Sequence, residues 1–194
     1  LREAFSSLYD EFLIFYAIKA NNHPWILDLI AEKTDGADAS RDTEIELAED
    51  SEFPMISYSG NFASTASLKS GLKTANIINL DSMESLPRLL EYGIPERLAF
   101  RINPGFGQGS FANNIFAGHE AKFGIRHEDA VEAYENAKNA GIKHFGMYMM
   151  IGSCVLDPSY FEAITEKLIE IAGEIRKKVG IQLEWFNLGG GFGI

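Results

Sequence analysis

Short runs of apolar, β-branched and aromatic residues recur along the chain. Each is followed by a stretch whose apolar positions have helical spacing. The runs at 12–20, 37–40, 55–59, 77–80, 98–102, 145–151 and 185–188 predict strands. Pro24 opens the first helix between them, at a position where a missing N–H costs nothing, with Trp25, Leu29 and Ile30 expected on one face. Ser82 is the expected cap of a later helix with the stripe Leu86, Leu89 and Leu90. Asp157-Pro158 opens the longest, whose face is Phe161, Ile164, Leu168, Ile171 and Ile175. Strand–helix alternation of this kind predicts a parallel sheet with right-handed crossovers. No low-complexity segment or linker interrupts it.

The predicted strands start at evenly spaced positions as far as 98, and the gaps then widen to 145 and 185. In the first wide gap lie Asn103-Pro104-Gly105-Phe106-Gly107-Gln108-Gly109-Ser110 and Asn113-Asn114, read as a functional insertion. Seven βα units fit either a doubly wound open sheet or a (β/α)8 barrel. An open sheet concentrates its site at one switch point, whereas a barrel gathers a site from all its strand C-termini. Here almost every strand ends in polar residues: Lys19-Ala20-Asn21-Asn22, Asp38 to Ser40, Ser59-Gly60-Asn61, Asp81-Ser82, Arg101-Ile102-Asn103, Gly152-Ser153, and Asn187 with Gly189-Gly190-Gly191. That distribution favours a TIM-type barrel, incomplete in this chain because only seven strands are seen.

Composition narrows the partners. The chain has 194 residues and a formal net charge of −11, which argues against nucleic acid and against docking on anionic lipid. No apolar run approaches the roughly 18 residues of a membrane helix. A single cysteine excludes a disulfide framework within the chain and fits a reducing, cytoplasmic setting. The chain begins at Leu1 rather than Met, with no signal peptide, so a true N-terminus is expected to lie elsewhere.

Lys19 is the most unusual residue. Strand alternation would place Leu13, Phe15, Ala17 and Lys19 on one face. A lysine ending so apolar a strand is either a desolvated amine suited to Schiff-base chemistry or a rim lysine that snorkels into water. Gly189-Gly190-Gly191 follows a strand and lets backbone N–H groups approach an anion, as phosphate loops do, or it is a flexible turn. Ser153 can add a hydroxyl to the same anion, or cap a helix. Cys154 has no paired His or Asp motif, and His23, His119, His127 and His144 show no metal spacing, so no metal site is expected.

Taken together, the motifs carry a resemblance. Phe15-Tyr16-Ala17-Ile18-Lys19-Ala20-Asn21 resembles the Y-A-V/I-K-A-N signature of fold-type III pyridoxal-phosphate decarboxylases. Gly36-Ala37-Asp38 with Glu44 resembles their G-A-D-x-x-S-x-x-E segment, Arg101-Ile102-Asn103-Pro104-Gly105 their R-I/V-N-P, and Lys122-Phe123-Gly124 their K-F-G. Gly146 to Ser153 is similar to G-x-H-x-H-I-G-S, and Leu188 to Phe192 to I/L-G-G-G-F. Order and spacing match throughout. The relevant members are diaminopimelate, ornithine, lysine, arginine and carboxynorspermidine decarboxylases.

The resemblance implies an alanine racemase-like barrel that binds pyridoxal 5'-phosphate. Lys19 would form the Schiff base, Gly189, Gly190, Gly191 and Ser153 would hold the phosphate, and Asp38 and Arg101 would sit in the cofactor pocket. It implies decarboxylation of a dibasic or diamino acid by a homodimer of the full-length protein. Two departures stand out. Tyr148 and Met150 replace the paired histidines, the second of which stacks on the cofactor ring, so Met150 takes that place. Residues 1–194 also lack the closing strand and the C-terminal β-domain, so this chain alone is expected to fold poorly and to be inactive. The alternatives are a non-catalytic pyridoxal-phosphate carrier or regulatory homologue, and a phosphate-binding barrel lyase in which Lys19 reacts with substrate directly.

Overall fold

The structure, a computed structural model, describes residues 2–105, 123–150, 152 and 154–193. It divides into two compact units, Leu1–Ile78 and Asn79–Ile194.

The first unit holds α1 (Arg2–Ser6), β1 (Phe15–Ala17), α2 (Pro24–Ala31), β2 (Gly36–Ala39), α3 (Asp42–Asp50), β3 (Ile56–Tyr58), α4 (Thr65–Thr74) and the start of β4 (Ile77–Leu80). Neighbouring strands are parallel and follow chain order. Ala17 lies opposite Asp38, and Asp38 opposite Ser57. Because side chains alternate along a strand, one face carries Ala17, Asp38 and Ser57. The other carries Ala37, Ala39, Ile56 and Tyr58, all buried with Leu27, Ile45, Ala48 and Leu68 of the helices.

Two expectations in this unit are corrected. The first strand is shorter than its apolar run: it ends at Ala17, and Ile18–Ala20 forms a 3-10 turn. Pro24 does open α2, but the buried residue of that helix is Leu27, flanked by half-buried Ile26, Ile30 and Ala31 at helical spacing, while Trp25 (72% exposed) and Leu29 face solvent. Trp25 and Leu29 belong to the i, i+4 row beside the one that packs.

The second unit holds the end of β4, α5 (Ser85–Leu90), β5 (Arg97–Asn103), β6 (Ile125–Arg126), α6 (Ala130–Asn139), β7 (His144–Tyr148), α7 (Pro158–Val179) and β8 (Leu183–Asn187). β5 pairs with β6 and with β7, and β7 with β8, all parallel. β6 adds a strand the sequence did not signal, since two residues are too few to show a period. The strand predicted at 145–151 ends at Tyr148. Ser82 does not cap α5, which begins three residues later; its hydroxyl meets that of Ser85 at 3.0 Å. Asp157 caps α7 as expected, accepting the Ser159 N–H at 3.0 Å, and Ile164, Leu168, Ile171 and Ile175 are buried on one face.

The packing centre of this unit is Tyr134 on α6. Its ring meets Phe100 edge-on at 5.1 Å and Phe145 at 6.0 Å. Its hydroxyl donates to the Gly146 carbonyl at 2.5 Å, and burial holds the phenol far above its ordinary pKa. Gly146 has to be glycine because a Cβ there would overlap the Trp185 indole of β8.

Candidate active site

In the first unit the polar strand face ends in one cluster. Ser57 Oγ donates to Asp38 Oδ1 at 3.1 Å, and Ser59 Oγ donates to Oδ2 at 2.7 Å. Both serines are buried. Glu44, a buried carboxylate in the first turn of α3, accepts the Ser40 N–H at 2.7 Å, where the helix N-terminus favours negative charge. Burial pushes the Asp38 carboxyl above its ordinary pKa. The two serine hydrogen bonds and the charge of Lys19 pull it down, and Glu44 pushes it up. Lys19 itself sits on the 3-10 turn after β1 and is exposed, which fits the rim lysine of the two readings and not the desolvated amine. The reason is the early end of β1: Lys19 is carried beyond the strand, past the apolar residues that were to bury it.

In the second unit Arg101 of β5 is only 4% exposed. It lies opposite Tyr148 of β7, with its guanidinium carbon 5.9 Å from the Tyr148 ring centre and 5.2 Å from that of Phe123. Its Nη2 donates to the Met150 carbonyl at 3.3 Å. Burial lowers its pKa from the ordinary value, against the opposing influence of Tyr148 and Asp81.

The glycine loop follows β8. Gly189 has φ +71°, and a Cβ there would lie 2.6 Å from the Met149 carbonyl and 3.1 Å from Met150 Sδ, so both backbone angle and space require glycine. Its N–H donates to Asn187 Oδ1 at 2.8 Å, closing the turn. Gly190 has open space over its Cα. Among the described residues no acceptor takes the N–H of Gly190 or Gly191. Ser153 and Lys122 lie outside the described residues. Among those described, no group of His, Cys, Asp and Glu is arranged to hold a metal ion.

The structure thus brings Lys19 to Asp38 in one unit, and Arg101 to the Met150 backbone and Met150 to Gly189 in the other. Sequence reasoning missed the contribution of Ser57. The available signal was register: a serine opposite Asp38 on the next parallel strand shares its face. Phe123 was noted only as part of a motif, not as the ring over Arg101.

These residues suit pyridoxal phosphate by their chemistry. A glycine loop suits a phosphate, and an exposed primary amine suits an aldehyde. Comparison with known proteins agrees. The chain is 37% identical to a diaminopimelate decarboxylase of Methanothermobacter thermautotrophicus over its whole length, covering 46% of that protein. It is 35% identical to the diaminopimelate decarboxylase of Thermoplasma acidophilum, covering 48%. Among solved structures, diaminopimelate decarboxylase from Helicobacter pylori complexed with L-lysine matches with a TM-score of 0.91 at 30% identity, over all of this chain and 50% of that one. The chain therefore spans about half the length of the relatives it matches. The fold match decides between the open sheet and the barrel in favour of the alanine racemase-like (β/α)8 barrel, of which this chain is an incomplete part. Residues 2–194 match the family described as pyridoxal-dependent decarboxylase, pyridoxal binding domain, and the chain belongs to that family.

Proposed function

We propose that the protein containing this chain decarboxylates a dibasic or diamino acid, with meso-diaminopimelate, lysine and ornithine as the first candidates, and that Lys19 carries its pyridoxal phosphate. The observation that supports this most directly is an exposed Lys19 amine on the turn after β1, whose charge acts on the serine-held carboxylate of Asp38. When bound, the cofactor supplies an electron sink for the electron pair left on the α-carbon as CO2 departs. The chain's own residues do the rest. Lys19 gives the amine that joins the cofactor aldehyde. Asp38 holds a negative charge near that amine. Gly190 and Gly191 offer N–H donors to the phosphate, with Ser153 as a further hydroxyl. Arg101, fixed between two aromatic faces, presents a positive charge that cannot be lost at physiological pH. Met150, with its thioether 3.1 Å from where a Gly189 Cβ would be, walls the glycine loop and offers a polarizable contact to an aromatic ring.

In the same reading this chain is the cofactor-binding barrel portion, residues beyond it complete the barrel and add the C-terminal domain, and the whole protein is a homodimer. The test uses the full-length protein. Borohydride reduction in the presence of pyridoxal phosphate should fix the label on the peptide containing Lys19, and Lys19→Ala should abolish it. A panel of amino acids, both enantiomers of each, should show CO2 release from a diamino acid. Label on Lys122, or none at all, would overturn the assignment. Label on Lys19 with no CO2 release would favour the carrier or regulatory reading, which Tyr148 and Met150 in place of the family histidines support.

A further inference from the structure

We propose that Ser57 and Ser59 are positioning residues that clamp Asp38 as a carboxylate, and that this clamp sets the pH range over which Lys19 takes up an aldehyde cofactor. The inference rests on the reading of Lys19 above and goes beyond it, since that reading gives the serines no part in the pH dependence.

The geometry carries the argument. The parallel register puts Ser57 directly opposite Asp38, and Ser59 lies two residues on, one strand period along the same face. Each hydroxyl addresses a different carboxylate oxygen, Oδ1 at 3.1 Å and Oδ2 at 2.7 Å. Two donors on two oxygens fix both the tilt and the rotation of the carboxylate, which one donor would leave free to swing. Both hydroxyls belong to buried residues, so water cannot readily take their place. A hydroxyl also stabilises an ionised carboxylate more than a protonated one, because it supplies a proton to a full lone pair.

The charged groups acting on Asp38 come from two elements: Lys19 on the turn after β1, and Glu44 on α3. Glu44 is committed to the Ser40 N–H, which keeps it in place as a fixed negative neighbour. From β3 and the residue that follows it, on the remaining side, the contribution is the hydroxyl pair. Without the pair, desolvation and Glu44 both favour the neutral acid, and Lys19 would lose its anionic neighbour at a pH where it now has one. Serine at both positions is therefore a matter of charge as well as of fit.

The experiment uses the full-length protein and two readouts. The first is carbon-13 NMR of aspartate carboxyls without cofactor, with the Asp38 signal assigned from Asp38→Asn. The second is the pH dependence of the rate at which pyridoxal phosphate is fixed to Lys19 under borohydride. In Ser59→Ala and in Ser57→Ala/Ser59→Ala the Asp38 titration should move upward by about one pH unit or more. The pH dependence of cofactor fixation should shift over the same window, by a comparable amount. Ser59→Thr, which keeps the hydroxyl, should restore both. An Asp38 titration that stays put in the double variant overturns the clamp, as does a uniform loss of fixation with no change in its pH dependence. If wild-type Lys19 takes no label while the Asp38 titration moves, the reading of Lys19 falls and the pH role of the clamp with it, although the serine–carboxylate bonding itself stands.

Discussion

Asp38 in the first unit and Arg101 in the second are both charged side chains removed from water on parallel strands, and their partners differ in kind. Asp38 is met by two hydroxyls, Ser57 of β3 at 3.1 Å and Ser59 just past its end at 2.7 Å. Arg101 is met by the rings of Phe123 and Tyr148 and by the Met150 carbonyl. The difference follows from shape. A carboxylate presents compact lone pairs that a small donor can match, whereas a guanidinium is broad and planar and takes up aromatic faces while its edge donates. Charged neighbours act on both as well: Lys19 and Glu44 on Asp38, and Asp81 on Arg101.

The largest expected effect breaks the second corner from below. Gly146→Ala places a methyl group in the Trp185 ring and pushes β7 and β8 apart. Overpacking of this kind costs about 1–3 kcal/mol where neighbours yield, and more where they cannot. Here the obstacle is a large ring across a strand pair, so a loss at or above about 3 kcal/mol is expected. Denaturant melts of the full-length variant check it. The Asp38 titration should be unchanged if the two corners are independent.

Tyr134→Phe removes a fully buried hydroxyl and leaves the Gly146 carbonyl without it. An unsatisfied buried acceptor costs about 1–3 kcal/mol, and the ring's contacts with Phe100 and Phe145 survive, so the lower half of that range is expected. Phe123→Leu should cost less, about 1 kcal/mol, by removing one of the two faces over Arg101. It also sharpens the comparison: the guanidinium would become more mobile while remaining charged, so cofactor affinity should fall without a change in its pH dependence. Isothermal titration with pyridoxal phosphate at two pH values distinguishes that outcome.

Much of this was legible in the sequence. The alternation of strand and helix was read correctly because parallel strands are long enough in apolar run, and helices such as α7 regular enough in period, to leave a mark. Asp157-Pro158 marked its helix start because cap and first-turn proline act locally. Lys19 was found but misplaced, since its strand ends where hydrogen bonding stops and not where hydrophobicity stops. Trp25 and Leu29 misled for the opposite reason: they are apolar at helical spacing, yet Leu27 faces the core, and rotational phase on a short helix depends on what lies opposite. The serine clamp depends on strand register, a relation between residues nineteen and twenty-one positions apart that no local pattern encodes.

The smallest expected effect separates the two corners by pH alone. Burial displaces both groups toward their neutral forms, Asp38 upward and Arg101 downward, but only Asp38 starts close to a working range. Its ordinary value is 3.8, and its folded value lies higher. Between those two values the folded chain holds more protons than the unfolded one, so stability falls as pH rises through that window. The advantage of the protonated form is complete below pH 3.8 and gone once the folded carboxyl has ionised. Arg101 stays charged in both states over this range and adds no slope. Denaturant midpoints measured from acid to neutral pH should therefore show one component that Asp38→Asn removes and Arg101→Lys leaves intact. Ser59→Ala should extend that component toward higher pH. A difference between wild type and Asp38→Asn that does not vary with pH would mean that Asp38 ionises on the folded chain as it does in water, and the contrast between the two corners would reduce to shape.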